Sequence, residues 1–261
     1  MRKFLIKFLR KIVFLTTKTI PKLPAILETE LQRAQGKGYG AKSVEVEVKL
    51  AMEFISKSGI EKITVLDIGA NVGSYSEAIL KLAPQASIFA FEPSSVARKV
   101  LENRFISNNS IKVQPLALGS AIAKKRLWSD VAGSGFASLT KRKLDHFGIE
   151  FSESEDVEVT TLDLWAKATD TVPNLIKIDV EGHELDVLRG GPNTWVKAQV
   201  VQFEFGGCNI DTKTFFQDFW YLFTEADFAL YRISEQGLIR ISQYSEADEC
   251  FRTTNYLAVK N

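Results

Sequence analysis

Short apolar runs alternate with segments of helical periodicity from residue 44 to the end of the chain. Continuous apolar runs of about four to eight residues are typical of strands buried on both faces of a parallel sheet. Helical segments between such strands favour right-handed crossovers and therefore a doubly wound α/β fold. The predicted strands cover residues 63–68, 87–91, 111–118, 175–178, 200–205, 229–233, 238–241 and 256–259. The predicted helices cover residues 44–57, 75–83, 95–103, 184–189 and 214–226.

A long polar connection separates the third predicted strand from the fourth. We interpret residues 119–165 as an insertion, because connections of this length in compact domains often carry function. The insertion contains Trp128 and Phe136, whose rings could pack on the apolar face of a ligand, and we expect it to cover the site where an acceptor substrate would bind. Its basic run at 141–143 favours either contact with an acidic acceptor or a solvated turn.

The N-terminus differs from the rest of the chain, and we assign residues 1–40 to a basic amphipathic helix and linker ahead of a main domain at 41–261. Prolines end the helical pattern, and Gly36, Gly38 and Gly40 mark the predicted joint between the two parts.

Charge and apolar residues are segregated in this N-terminal helix. Residues 1–27 carry seven basic residues and no acidic ones, whereas the whole chain has a net charge of +1. Lys7 and the pair at 10–11 interrupt the apolar stretch, so the pattern predicts neither a transmembrane helix nor a secretory signal. Two interpretations stay open: residues 1–20 lie on an anionic membrane surface, or the helix packs on its own domain or on a partner subunit.

Composition excludes several classes of protein. Hydrophobic residues make up 45% and charged residues 25% of the chain, which excludes a disordered chain. Two cysteines and two histidines, without zinc spacing, exclude a disulfide scaffold and disfavour structural zinc. Because the main domain carries more acidic than basic residues, we expect no nucleic-acid partner.

The first strand leads into a glycine turn with an acid at its start. Gly69 and Gly73 allow a tight approach to a ligand, and Asn71 stands where a dinucleotide fingerprint has its middle glycine. A carboxylate at Asp67 favours a cationic ligand over a pyrophosphate, and S-adenosylmethionine carries an ammonium and a sulfonium. Glu92 ends the second predicted strand, where it could accept both ribose hydroxyls. A plain glycine turn is the alternative interpretation.

A second cluster of ionisable residues follows the fourth predicted strand, at 177–184. Strand ends of an open α/β sheet face the ligand crevice, and so many charges are costly unless they line a polar pocket. Glu204 ends the fifth predicted strand and belongs at the same rim, unless it is a solvated strand-end acid. The candidate catalytic residues are Lys177, Asp179, Glu181, His183 and Glu204.

S-adenosylmethionine is a methyl donor, and a hydroxyl group that acts as a nucleophile towards such a donor needs help in losing its proton. A histidine has the natural pKa for this task, which makes His183 a candidate base alongside the carboxylates. Alternatively, Asp179, Glu181 and Glu204 could hold Mg²⁺ or Ca²⁺, which would lower the pKa of the hydroxyl.

Five segments together resemble the FkbM-type methyltransferases. They are D-I-G-A-N-V-G-S-Y-S at 67–76, F-E-P at 91–93, I-K-I-D-V-E-G-H-E-L-D-V-L-R-G-G at 176–191, F-E-F at 203–205 and N-Y-L-A-V at 255–259. The resemblance implies a Rossmann-like class I methyltransferase with a mostly parallel seven-stranded sheet whose last strand is antiparallel. It also implies that S-adenosylmethionine is the methyl donor.

The resemblance assigns roles residue by residue. It implies that the methionine-side loop consists of Asp67, Gly69, Asn71 and Gly73, and that Glu92 binds the ribose. It also implies methylation of hydroxyls on sugars, glycolipids, polysaccharides or related metabolites. The alternatives are a non-catalytic, membrane-associated module that binds S-adenosylmethionine, and an NAD-dependent oxidoreductase.

The location follows from the donor, which is an intracellular metabolite. We therefore expect a cytoplasmic protein, held at the inner face of the membrane if its N-terminal helix binds lipid. The expected partner is a carbohydrate or glycolipid acceptor. The sequence leaves open whether the chain forms oligomers.

Overall fold

The computed structural model describes residues 2–38, 44–57, 59–60 and 62–261. The predicted boundary between residues 40 and 41, together with Gly40, lies outside the described residues. The α-helices of the described part are α1 (Arg2–Thr19), α2 (Leu23–Ala34), α3 (Val44–Ser56), α4 (Ser74–Leu82), α5 (Ser95–Arg104), α6 (Leu162–Thr169), α7 (Glu184–Arg189), α8 (Pro192–Trp195), α9 (Cys208–Thr212) and α10 (Phe216–Glu225). The strands are β1 (Thr64–Ile68), β2 (Ser87–Phe91), β3 (Ile111–Gln114), β4 (Ala117–Leu118), β5 (Ala123–Ser129), β6 (Glu153–Thr160), β7 (Leu175–Ile178), β8 (Val200–Phe205), β9 (Phe228–Ser234), β10 (Gly237–Ile241) and β11 (Thr254–Lys260).

The main sheet has the order β10-β9-β11-β8-β7-β1-β2-β3. Strands β3, β2, β1, β7 and β8 pair in parallel, and β11 runs antiparallel to both of its neighbours, β8 and β9. This confirms the predicted α/β class with a mostly parallel sheet and an antiparallel last strand. The sheet has eight strands rather than seven, because β10 folds back on β9 in a hairpin and extends the edge.

Helices cover both faces of the sheet, which explains the continuous apolar runs. Neighbouring residues of β1 point to opposite faces, so Val65 packs in one core cluster and Leu66 in the other. Helices α3, α4 and α5 contribute to the first cluster, and α6, α7 and α10 to the second. In the second cluster the ring of Phe203 stacks on Phe219, with ring centroids 4.8 Å apart.

The third predicted strand is divided into two. Strand β3 ends at Gln114 and β4 begins at Ala117, and the two strands lie in different sheets. Pro115 lies between them, and a proline cannot donate to the ladder that the predicted strand would need.

The insertion is more regular than a loop. Strand β4 pairs with β6, and β6 pairs with β5, which gives a second, three-stranded sheet. Its two long strands are rich in charged residues and carry cross-strand ion pairs such as Lys124–Glu158 and Arg126–Asp156. A strand with mainly charged residues gives no apolar run, so the sequence pattern did not reveal β5 or β6.

The N-terminal helices stand apart from this core, whereas the turn after them is attached to it. Helix α2 buries none of its residues. After it, the guanidinium of Arg232 donates to the carbonyl of Gln35 at 2.9 Å, and the amide of Gly38 donates to the hydroxyl of Thr254 at 2.8 Å. Lys37 is buried and donates to the carbonyl of Ala247. Among the described helices, none is both long and apolar enough to cross a bilayer.

Candidate active site

The carboxyl ends of β1, β2 and β7 meet at one edge of the sheet, where they border a cleft of about 570 Å³. Its lining combines the Gly69 turn, the end of β2 and the loop after β7 with part of the insertion. The insertion contributes Ser134, Gly135, Ala137 and Leu139. The apolar walls include Phe91, Leu116, Leu118 and Leu127.

Position 69 requires glycine because the turn after β1 passes close to the backbone of the loop after β7. Gly69 has φ +79°, and a Cβ atom there would overlap the backbone carbonyl of Asp179 in the loop after β7. The amides of Gly69 and Ala70 both donate to the carbonyl of Phe91, at 3.1 and 2.9 Å. The turn after β1 is thereby fixed against the ends of β2 and β7. Gly73, at φ +85°, begins helix α4.

Asp67 lies beneath this turn rather than in the cleft. Its carboxylate is fully buried, accepts from the hydroxyl of Ser76 at 2.7 Å, and lies 3.4 Å from the ammonium of Lys177. Lys177 also donates to the carbonyl of Gly69 at 2.7 Å and lies 3.4 Å from the carboxylate of Asp179. The charge of Asp67 is therefore compensated within the protein, and its contact is with Lys177.

Two opposing effects act on the ammonium of Lys177. Burial lowers the pKa of this group, but the carboxylates of Asp179 and Asp67 raise it above the usual value for lysine. The side chain stays charged and ties the Gly69 turn to the loop after β7. Asp179, whose side chain is 39% exposed, is the member of this ion-pair group that reaches the cleft.

Glu92 and Asn71 form another part of the cleft. The carboxylate of Glu92 accepts from the amides of Asn71 and Ser94, each at 2.8 Å, and burial raises its pKa. Asn71 has φ +49°, a conformation that asparagine tolerates better than most residues, and its side-chain oxygen is buried without a hydrogen-bond partner.

The charge of the cleft distinguishes between cofactors. Three acidic residues line it, namely Glu92, Asp179 and Glu181, and its described lining contains no lysine, arginine or histidine. Although Lys177 and Arg142 pair with Asp179 and Glu181 from outside the lining, the cleft surface itself offers carboxylate oxygens and no cationic side chain to a pyrophosphate. The orphaned amide oxygen of Asn71 and the carboxylate of Glu92 offer acceptors for ammonium or hydroxyl groups. These donors and acceptors fit S-adenosylmethionine, whereas a dinucleotide would place its phosphates against acids.

Glu181 lies where the cleft meets the insertion. Burial and the nearby Asp179 raise the pKa of Glu181 to about 8, although the guanidinium of Arg142 lowers it. Arg142 lies in the basic run of the insertion and is 2.6 Å from Glu181 and 3.3 Å from Asp211. The run is therefore not simply a solvated turn. Arg142 was not among the predicted site residues, because a basic residue in a basic run carries no signal of burial.

Glu204 is buried rather than solvated. It lies at the end of β8 with Glu181 and Cys208, and one donor atom from each of the three falls within 4.8 Å of the others. Burial, followed by the charges of Asp179 and Glu181, raises the pKa of Glu204 well above its usual value.

This set of donors does not fit the predicted Mg²⁺ or Ca²⁺ site. Both ions prefer oxygen ligands, but the third donor is the thiol of Cys208, whose pKa is raised by burial. Asp179 is not part of the group, and Glu181 is already paired with Arg142.

His183 lies beside the cleft and does not line it. Its Nδ1 atom is 2.9 Å from the carboxylate of Asp186, and its Nε2 atom is 2.9 Å from the hydroxyl of Thr140. Both ring nitrogens are thus engaged, and they connect the start of α7 to the insertion. Glu184 accepts from the amides of Val180 and Gly182, which stabilises the loop between β7 and α7.

A further buried acid, Glu47, joins helix α3 to strands β8 and β11. It accepts from the side chains of Gln202 and Asn255, each at 2.8 Å, and burial raises its pKa. Gln202 in turn accepts from the hydroxyl of Tyr75 at 2.9 Å. The burial of Glu47 was not predictable, because an acid on an amphipathic helix is usually assigned to the solvent face.

The parallel sheet and the acidic cleft fit a Rossmann-like methyltransferase. The family described as the methyltransferase FkbM domain matches residues 67–230. The chain belongs to this family and is an S-adenosylmethionine-dependent methyltransferase.

Two curated relatives and one solved structure are similar to the chain. The 2-O-methyltransferase NoeI of Sinorhizobium fredii is 30% identical over an alignment of 190 residues, and the match covers 67% of this chain and 76% of NoeI. The methyltransferase sdnD of Sordaria araneosa is 30% identical over an alignment of 153 residues, and the match covers 48% of this chain and 59% of sdnD. The precorrin-6y C5,15-methyltransferase of Geobacter metallireducens is 11% identical, with a TM-score of 0.41 over 82% of this chain and 87% of that chain.

Proposed function

We propose that the protein methylates a hydroxyl group of a sugar-containing acceptor and that Glu181 takes the hydroxyl proton. One observation carries this proposal: Glu181 lines the cleft, and its pKa is raised to about 8. A carboxylate with such a pKa is a far better proton acceptor near neutral pH than an ordinary glutamate.

The residues that would hold the donor are those of the acidic cleft. Glu92 would accept hydrogen bonds from the ribose hydroxyls, and Asn71 would accept one from the ammonium group. Leu116 and Leu118 would pack against the adenine ring. When bound, S-adenosylmethionine supplies an electrophilic methyl group on a positively charged sulfur. The exposed carboxylate of Asp179 favours a cation in this cleft.

Glu181 performs the proton transfer in this mechanism. Glu181 would take the hydroxyl proton as the acceptor oxygen displaces S-adenosylhomocysteine, a neutral thioether, from the methyl carbon. The carboxyl group of Glu181 would then release the proton to water. Arg142 keeps part of the Glu181 population ionised by opposing the effect of burial. His183 is a weaker candidate for the base, since both of its ring nitrogens already have partners.

The sugar acceptor is supported by the relative NoeI, which is named as a 2-O-methyltransferase. Trp128 is a less favourable sugar platform than its sequence position indicated, because Arg126 and Lys141 lie 5.4 and 5.0 Å from its ring centroid. Phe136, which is exposed beside the cleft lining, is the better candidate for contact with a sugar ring.

The test is methyl transfer to a panel of acceptors. The protein is incubated with isotopically labelled S-adenosylmethionine and with free sugars, oligosaccharides, glycolipids and matched alcohols without a sugar. We expect a labelled O-methyl group, identified by mass spectrometry and NMR, on at least one sugar-containing acceptor. Labelling only of the sugar-free alcohols, or of nitrogen or carbon atoms, would contradict the proposal. Binding of the donor without transfer to any acceptor would favour the non-catalytic alternative.

A further inference from the structure

Helix α1 exposes a set of apolar side chains that a water-soluble helix would normally bury. The exposed members are Phe4, Ile6, Phe8, Leu9, Ile12, Val13 and Phe14. Helix α2 continues the pattern with Ile26 and Leu31, which are 55% and 62% exposed. Exposed apolar area on this scale is unfavourable in water and marks a surface that another apolar phase covers.

The distribution of apolar and basic side chains around α1 is typical of a helix that lies on a flat surface. At about 100° per residue, the apolar positions from Phe4 to Val13 cover a broad face, and Lys7, Arg10 and Lys11 fall on a narrower basic face. Phe14 is the exception, because it falls on the basic face. Long basic side chains beside a wide apolar face can reach the headgroups while the helix lies in the plane of a bilayer surface.

The positive charge of the segment indicates that the surface it binds is negatively charged. Residues 1–27 carry seven basic residues and no acidic ones, whereas the residues after them carry more acids than bases. A basic segment of this kind is attracted to an anionic leaflet and is repelled by a cationic surface. The acidic main domain does not compete for the bilayer.

The connection to the main domain is fixed. Gln35 and Gly38, at the end of the helical pair, are hydrogen-bonded to Arg232 and Thr254 in strands β9 and β11. Buried Lys37 adds a contact to the loop that contains Ala247. A membrane-bound α1 would therefore keep the methyltransferase domain close to the lipid surface.

We propose that α1 binds the surface of an anionic phospholipid bilayer and holds the enzyme there. This proposal is independent of the acceptor, because it requires lipid headgroup charge and no sugar.

The test uses the full chain and vesicles of defined composition. Sedimentation with vesicles of phosphatidylcholine and phosphatidylglycerol is compared with phosphatidylcholine alone. We expect binding to the anionic vesicles, with an affinity at least about tenfold higher than for the neutral ones, and release at high salt. The double substitutions Phe8→Ser/Ile12→Ser and Lys7→Gln/Lys11→Gln should each reduce binding by about tenfold or more.

Ile106→Ser provides the matched control, because Ile106 is an 80% exposed aliphatic residue of the main domain. It should leave vesicle binding unchanged. Donor binding, measured for every variant, shows that the main domain remains folded. Three results would overturn the proposal: no binding to anionic vesicles, equal binding by the Phe8→Ser/Ile12→Ser variant, or a stable dimer that this variant dissolves. The last result would assign the face to a second copy of the chain.

Discussion

The Nη1 atom of Arg142 lies 2.6 Å from Oε2 of Glu181. This ion pair joins the insertion to the loop that follows β7, and the second contact of Arg142, with Asp211 at 3.3 Å, extends it to α9. Three separate parts of the chain are thereby held at one side of the cleft. The pair also sets the charge state of the residue that we propose as the base.

Removal of Arg142 should change the pH dependence of methyl transfer. Burial raises the pKa of Glu181 to about 8 and Arg142 lowers it, so Arg142→Gln should raise it further. Because the ionised carboxylate is the active form, the acidic limb of kcat/KM should move to higher pH by about one unit or more. Arg142→Lys, which keeps the charge but loses the fork geometry, should give a smaller shift.

Lys143→Gln is the control for this experiment, because it removes one positive charge from the same run at an exposed position. Its pH profile should match that of the unsubstituted protein. If the acidic limb does not move in Arg142→Gln while donor binding is intact, another group controls the proton transfer.

Alanine substitutions at Gly69 and Gly148 distinguish the cost of backbone strain from the cost of a steric clash. Both have φ near +70 to +80°, but a Cβ at Gly148 meets nothing within 4 Å, whereas one at Gly69 overlaps the carbonyl of Asp179. Gly148→Ala should therefore cost about 1–2 kcal/mol of unfolding free energy, and Gly69→Ala about 1–3 kcal/mol more. Urea denaturation measures both. Equal losses would show that the two loops can separate without cost.

Lys177 should be essential for stability because it compensates a fully buried carboxylate. Lys177→Met leaves Asp67 without its cation and should lower the free energy of unfolding by about 3–5 kcal/mol. Adding Asp67→Asn should restore part of this loss, since the buried charge is then gone. Lys81→Met, which breaks an exposed pair with Glu77, should cost less than about 1 kcal/mol. A loss in Lys177→Met as small as in Lys81→Met would contradict this account.

The parallel strands were predictable because their burial leaves a direct trace in the sequence. The segments at 87–91, 175–178 and 200–205 have the predicted bounds in the structure. The elements that were missed follow other rules. Strands β5 and β6 carry mainly charged residues and pair in a separate small sheet, so they leave no apolar run in the sequence.

The sequence indicated which residues surround the cleft, but it did not indicate which side chains contact one another there. Strand ends and glycines placed Gly69, Glu92 and Asp179 around one cleft, where the structure has them. The burial of Asp67 and the engagement of both His183 nitrogens depend on side chains from distant segments, Lys177 and Thr140. These contacts form only when distant segments come together in the fold, so they could not be predicted from one sequence.

In the proposed mechanism, Glu181 acts on the acceptor proton and contributes little to holding the donor. Glu181→Gln keeps the size and part of the hydrogen bonding of the side chain but cannot accept the proton. We predict that its kcat for methyl transfer falls by about 100-fold or more, while the Kd for S-adenosylhomocysteine, measured by calorimetry, changes by less than about threefold. An unchanged kcat, or equal losses in kcat and binding, would contradict the account.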